Sequence, residues 1–169
     1  MELLIFSDSH GGAYQMEQAL SRQVTRPGAI CFLGDGLRDT EVLDDRGVLL
    51  WTVRGNCDYG PLFEDTPTER TVDLLGHRIL LTHGHRFFVK SGYGALLSHA
   101  MELGADIVLF GHTHAPISLC VEAGERIGNF VTERETYLFN PGSIGQGFFG
   151  TLHLTENAVL FSHGTLMNS

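Results

Sequence analysis

The stretch Leu3-Leu4-Ile5-Phe6-Ser7-Asp8-Ser9-His10 runs four apolar residues straight into a polar block. A short branched and aromatic run that stops on polar residues reads as a buried strand whose end carries chemistry. The junction recurs. Residues 29–33 meet Gly34-Asp35, 48–53 meet Arg54-Gly55-Asn56-Cys57-Asp58, 78–82 meet His83-Gly84-His85, and 107–110 meet Gly111-His112-Thr113-His114. Near-continuous apolarity suits parallel strands covered on both faces, and in open α/β sheets ligands bind beyond the carboxyl ends of such strands. The five ends are expected to converge on one rim.

Between the strands, Ala13, Met16, Ala19, Leu20 and Val24 repeat at helical spacing, and Tyr93, Leu96, Leu97, Ala100 and Met101 do so more regularly. Strands alternating with helices predict an α/β fold. Residues 69–81 predict a hairpin turning at Gly76-His77. Beyond His114 only strands are expected: Ile117, Leu119 and Val121 alternate with Ser118, Cys120 and Glu122, and runs at 137–139, 151–154 and 159–161 lie between Gly, Asn and Pro turns. With no linker, repeat or low-complexity segment, residues 1–169 are expected to form one domain.

At 43% hydrophobic and 18% charged residues, the chain is not disordered in its main state. Its 11 Lys and Arg against 20 Asp and Glu, a net charge of -9, oppose non-specific binding to nucleic acid or anionic lipid. The apolar runs fall far short of the roughly 20 residues that cross a bilayer, and the first residues lack the basic and apolar regions of a secretory signal, so a cytoplasmic location is expected. Cys31, Cys57 and Cys120 are odd in number and show no CxxC spacing, which suggests neither a disulfide framework nor a thiolate zinc site. The unusual feature is nine histidines.

Asp8, His10, Asp35, Asn56, His83, His112 and His114 are seven candidate metal ligands. Imidazole nitrogen, carboxylate oxygen and amide oxygen together suit a borderline divalent transition metal, whereas calcium or magnesium would want oxygen alone. Seven donors exceed what one tetrahedral ion uses; two ions sharing a carboxylate leave room for water. Taken singly, Asp8, Asp35, Asn56 and Asp58 read as helix caps or turn residues. In order, after five strands, they read as a site, with Asp58 a turn or supporting residue. His77, His99 and His153 read as surface residues, Cys31 as core, and His163 has no assigned place. Tyr14, Tyr59, Phe87, Phe88, Arg54 and Arg86 flank the blocks, and packing or solvated charge is their ordinary use.

Asp8-x-His10, Gly34-Asp35, Gly55-Asn56-x-Asp58, His83 and Gly111-His112-x-His114 resemble the signature of the calcineurin-like metallophosphoesterases. Leu81 to His85, Asn140-Pro141-Gly142-Ser143 and the short length resemble the small prokaryotic phosphodiesterase branch. The resemblance implies a four-layer α/β/β/α sandwich, with Asp8, His10 and His114 on one ion, Asn56, His83 and His112 on the other, and Asp35 bridging. It implies a dinuclear centre, manganese first with iron, nickel, cobalt or zinc also suited, and a shared hydroxide attacking phosphorus in line. The candidate catalytic residues are Asn56, Cys57 and His85. Cys57 stands where larger members carry a histidine that protonates the leaving oxygen, and His85 either bonds substrate phosphate or supports a ligand.

A small or locally exposed phosphodiester is the expected substrate. The alternatives within the same fold are a phosphomonoesterase, a nucleotide pyrophosphatase, or a non-catalytic scaffold of the retromer type. Self-association is left open.

Overall fold

The computed structural model describes residues 1–44 and 46–167. Alternation inside each apolar run sets the layers, because successive side chains of a strand face opposite ways. β1 (Glu2–Phe6), α1 (Ala13–Ser21), β2 (Ala29–Phe32), α2 (Glu41–Asp44) and β3 (Leu49–Thr52) come first. The hairpin of β4 (Glu69–Leu74) and β5 (His77–Thr82) then leads through α3 (Gly94–Leu103) to β6 (Ile107–Leu109). Strands fill the rest: β7 (Ile117–Val121), β8 (Arg126–Ile127), β9 (Phe130–Val131), β10 (Thr136–Asn140), β11 (Phe148–Thr155) and β12 (Ala158–Thr165).

One five-stranded sheet has the order β12-β11-β1-β2-β3 and the other β4-β5-β6-β10-β7. The strands whose ends carry the polar blocks are parallel within each sheet, β1 with β2 and β3, and β5 with β6; antiparallel strands complete the edges. Leu3, Ile5, Cys31 and Val53 face Ile79, Leu81, Ile107, Leu109 and Phe139 in a core between the sheets. Leu4, Phe6, Ile30 and Phe32 point outward onto Met16 and Ala19 of α1 and Leu43 of α2. Leu80, Val108 and Leu138 point outward onto Leu96, Leu97 and Ala100 of α3. The result is the expected α/β/β/α sandwich.

Phe6, Phe32, Phe110 and Phe139 are among the largest fully buried side chains, where truncation to Ala typically costs about 3–5 kcal/mol. Cys31 lies in the central core, and burial pushes its thiol up to about 12.

The sequence reading needs three corrections here. Val24 is fully exposed and outside α1, which ends at Ser21 because the chain must turn through Pro27 and Gly28 to start β2. The hairpin reverses at Leu75-Gly76, both at positive φ (51° and 84°), and His77 opens β5. His77 and His99 are not free surface residues. His77 Nδ1 lies 2.6 Å from Asp106 Oδ2, and His99 stacks on Phe87 with Nε2 2.9 Å from Glu69 Oε2. His153 is exposed and pairs with Glu2.

Candidate metal centre

At the rim the backbone leaves the extended conformation abruptly. Asp8, His10, Asp35, His112 and His114 have φ of 54°, 44°, 62°, 68° and 59°, five of the seven non-glycine positive values among the described residues. Such left-handed residues are uncommon outside glycine and cluster where surrounding structure over-determines them. Here the turns swing five candidate ligands back over the strand ends. Two glycines make room: a Cβ at Gly55 would run into Asp35 Oδ1, and one at Gly111 into Ser7 Oγ.

The donors meet in one space. Asp8 Oδ1 lies 3.1 Å from His114 Nε2 and 3.8 Å from both His10 Nε2 and His83 Nε2. Asp35 Oδ2 lies 3.2 Å from His83 Nε2 and 4.0 Å from His10 Nε2. Three sets have donor atoms within 4.8 Å of one another: Asp8, His10 and His114; Asp35, His83 and His112; and His10, Asp35 and Cys57. Asp35 belongs to two of them. Asn56 is exposed beside Cys57 and donates from Nδ2 to Cys57 Sγ at 3.5 Å, which leaves its Oδ1 available as a ligand.

Supporting contacts fix these groups. Ser7 Oγ donates to Asp8 Oδ2 (2.5 Å), as does His112 N (3.0 Å), so Oδ1 is the oxygen turned to the cluster. His83 Nδ1 lies 2.7 Å from Leu33 O, an acceptor only, so Nδ1 carries a proton and Nε2, 3.2 Å from Asp35 Oδ2, is the nitrogen left to ligate. Cys57 N donates to Asp35 Oδ1 at 2.7 Å.

Asp58, expected as a turn or supporting residue, is buried and accepts from Asp35 N (2.7 Å), Gly36 N (2.8 Å), Leu37 N (2.9 Å) and Gly55 N (2.9 Å). Asn140 Nδ2 donates to Gly111 O and Thr113 Oγ1, and Ser143 Oγ donates to Asp8 O. Ser7, Asp39, Asn140, Ser143 and His163 were given no role by sequence reasoning. Asp39 accepts from Ser9 Oγ and Gly11 N, and His163 Nε2 lies 2.8 Å from Asn140 O. The one signal for any of them was the Asn140-to-Ser143 block.

The charges answer one another. Burial disfavours a charged Asp35, but the neighbouring His83, 3.2 Å away, and the Cys57 N–H outweigh it and hold the carboxyl well below its usual range. Burial likewise disfavours charged His83, and Asp35 and Asp8 more than offset this, raising it. Burial, then the neighbouring His83, lowers His112 to about 4, leaving a neutral imidazole at pH 7. Burial, then His83, also lowers His85, whose ring centre is 5.4 Å from His83 and 6.1 Å from His112.

Asp8 Oδ1 and His83 Nε2, both on fully buried side chains, have no hydrogen-bond partner. Buried polar atoms are seldom left so, and two such donors 3.8 Å apart beside the Asp35 carboxylate fit a divalent cation.

Of the flanking residues, Arg86 donates to Thr68 Oγ1, Tyr14 OH accepts from Gln18, and Tyr59 and Phe88 are exposed. A cavity of about 270 Å³ adjoins His10 and His114 and is lined by Gln15, Gln146 and glycines, without Lys or Arg. A larger one, about 600 Å³, surrounds His77, Arg78 and Arg134 and holds none of the seven candidates.

Residues 1–163 match the model of the calcineurin-like phosphoesterase superfamily domain. A protein of Bacillus subtilis named "Probable metallophosphoesterase YsnB" is 32% identical over 146 residues, covering 85% of this chain and 75% of its own. The crystal structure of a conserved uncharacterised protein of Streptococcus pneumoniae, described as a predicted phosphoesterase, superposes with a TM-score of 0.74 at 25% identity, over 97% of this chain and 88% of that one. Wild-type Vps29 of Entamoeba histolytica, solved with zinc, shares the fold with a TM-score of 0.70 at 18% identity, over 98% and 99% of the two chains. The chain belongs to the calcineurin-like phosphoesterase superfamily, a family of metal-binding hydrolases. No helix of the described residues is long and apolar enough to cross a membrane.

Proposed function

We propose that residues 1–169 form one metallophosphoesterase domain that hydrolyses a small or locally exposed phosphodiester at a dinuclear centre, working in the cytoplasm. Asp8, His10 and His114 would hold one ion and Asn56, His83 and His112 the other, with Asp35 shared between them. Manganese is the expected pair, and iron, nickel, cobalt and zinc suit the same donors. The observation that carries the reading is the pair of buried, unpartnered atoms, Asp8 Oδ1 and His83 Nε2, 3.8 Å apart, with Asp35 Oδ2 3.2 Å from His83 Nε2. When bound, the ions supply a nucleophilic water at neutral pH and offset charge on the phosphoryl oxygens.

The chain's own part is to hold donors still and receive the ester. Ser7 and the His112 N–H fix Asp8, Leu33 O fixes the His83 tautomer, and Asp58 ties the Asp35 turn to the Gly55 turn. His85 stands beside the cluster as a donor for a phosphoryl oxygen. The cavity at His10 and His114 has room for an uncharged substituent of the diester.

In the metal-free protein burial, then Asp35, pushes the Cys57 thiol up to about 11; with or without that shift, a thiol is not well matched to protonating a departing oxygen at pH 7. Substrates whose leaving groups need little proton help are therefore favoured. Turnover of bis-aryl phosphate in manganese, well above that of aryl monophosphate, is the expected result. Faster monoester turnover would identify a phosphomonoesterase instead, and no turnover with any metal would identify a scaffold.

Cys57→His should raise kcat/KM for alkyl diesters by about 100-fold relative to aryl diesters, the lower end of what a positioned acid supplies. The lower end is expected because both Asp58 oxygens are taken by backbone N–H groups, so Asp58 does not orient an imidazole placed there. Equal changes for both ester classes would contradict that role for the position.

A further inference from the structure

Cys57 Sγ, a ring nitrogen of His10 and a carboxylate oxygen of Asp35 all lie within 4.8 Å of one another. Two contacts hold that arrangement. Cys57 N donates to Asp35 Oδ1 at 2.7 Å, which pins residue 57 against the carboxylate. Asn56 Nδ2 donates to Sγ at 3.5 Å, a contact that supports electron density on sulfur. The side chain is otherwise exposed, so Sγ can adjust by rotation about χ1 without disturbing a packed core.

Independently of the cysteine, the donors next to His10 and Asp35 also fit a cation. Asp8 Oδ1 and His83 Nε2 are fully buried and unpartnered, 3.8 Å from His10 Nε2 and 3.2 Å from Asp35 Oδ2 respectively.

We propose that Cys57 Sγ is an additional ligand of the ion held by His10 and Asp35, and that this position, which takes manganese when manganese alone is supplied, binds a thiophilic divalent ion, cobalt, zinc or iron, more tightly in competition. The inference rests on the dinuclear centre argued above and names the chemistry of one of its two positions. Metal–sulfur bonds of about 2.3 Å and metal–nitrogen bonds of about 2.0–2.1 Å put neighbouring donors on one ion roughly 3–3.6 Å apart, so the three donors need close only modestly onto a shared ion. On binding, a sulfur lone pair forms the bond and the S–H proton passes to solvent; nothing is oxidised or reduced. The dication sets a positive field where Asp35 alone gave a negative one, and a coordinating thiol is deprotonated. Thiolate also selects against hard ions, which manganese resembles most among the candidates.

The test is metal-free protein reconstituted with cobalt(II), with bound metal counted and the absorption spectrum recorded for wild type, Cys57→Ser and Cys120→Ser. Wild type and Cys120→Ser should show a near-ultraviolet thiolate-to-cobalt charge-transfer band that Cys57→Ser lacks. The preference for zinc over manganese, from competition, should fall about tenfold or more in Cys57→Ser alone. Two bound cobalt ions with visible d–d absorption but no charge-transfer band in wild type would overturn this inference and leave the dinuclear centre standing. A chain that binds no cobalt would overturn the centre itself and the inference with it.

Discussion

Asp35→Asn is expected to lower phosphodiester kcat/KM by about 1,000-fold, roughly 4 kcal/mol of barrier, while leaving the fold intact. The size of the effect follows from where the carboxylate sits. Oδ2 is 3.2 Å from His83 Nε2 and 4.0 Å from His10 Nε2, one histidine from each half of the cluster, and Oδ1 is held by Cys57 N. An amide keeps the shape but removes the charge that two dications need between them, and in one of its two orientations it turns N–H donors toward a cation. Metal counts should fall with activity. His77→Ala is the control: His77 pairs with Asp106 at the opposite end of β5 from His83, and turnover should be unchanged. Equal losses in the two folded variants would mean that the site has been misread.

Asp58→Ala should cost about 3–5 kcal/mol of stability, a large part of a domain's usual ~5–15 kcal/mol. Its carboxylate accepts four backbone N–H groups from two separate turns, Asp35 to Leu37 and Gly55. Hydrogen bonds to a charged acceptor each contribute about 1.5–3 kcal/mol, and buried donors left without an acceptor add their own cost, though such terms do not simply add. For a chain of this size each kcal/mol moves Tm by about 2–4 °C, so a fall of about 10 °C is expected in the metal-free protein. Asp58→Asn, which keeps one acceptor oxygen, should fall by less. Melting within about 2 °C of wild type for Asp58→Ala would show that water satisfies those N–H groups and that the two turns do not depend on each other.

The fold was legible wherever an apolar run met a polar block. Residues 3–10 and 107–114 each carry both the strand and its functional end, and the same pattern at 29–35, 48–58 and 78–85 identifies five strands on one rim. Their alternating faces, Leu3 and Ile5 inward and Leu4 and Phe6 outward, were equally present in the sequence, but which face met the second sheet depends on pairing across the whole chain. Short elements were not legible. The hairpin of β8 and β9 has two residues per strand, and α2 four, too few for a period to show.

The same division holds at the site. Candidate ligands were visible because their residue types recur after strands. Their supports were not, because each acts over a distance that sequence does not display: Ser143 Oγ reaches Asp8 O across 135 positions, and Asn140 reaches Gly111 across 29. His77 and His99 were misjudged for a related reason. His77 was placed at the expected turn and His99 off the apolar stripe of its helix, but Asp106 and the Glu69–Phe87 pair come from other segments to cover them. Nor does sequence show that Asp8, His10, Asp35, His112 and His114 take left-handed backbone, the device that turns them over the rim.

The central claim is that two ions, held across Asp35, make this chain a phosphodiesterase. Titrating metal-free protein with manganese(II) while following hydrolysis of a bis-aryl phosphate tests it most directly. Turnover should rise to its plateau as the second equivalent per chain binds, with little activity at the first. A plateau at one ion per chain, or full loading without hydrolysis of the diester, would contradict it.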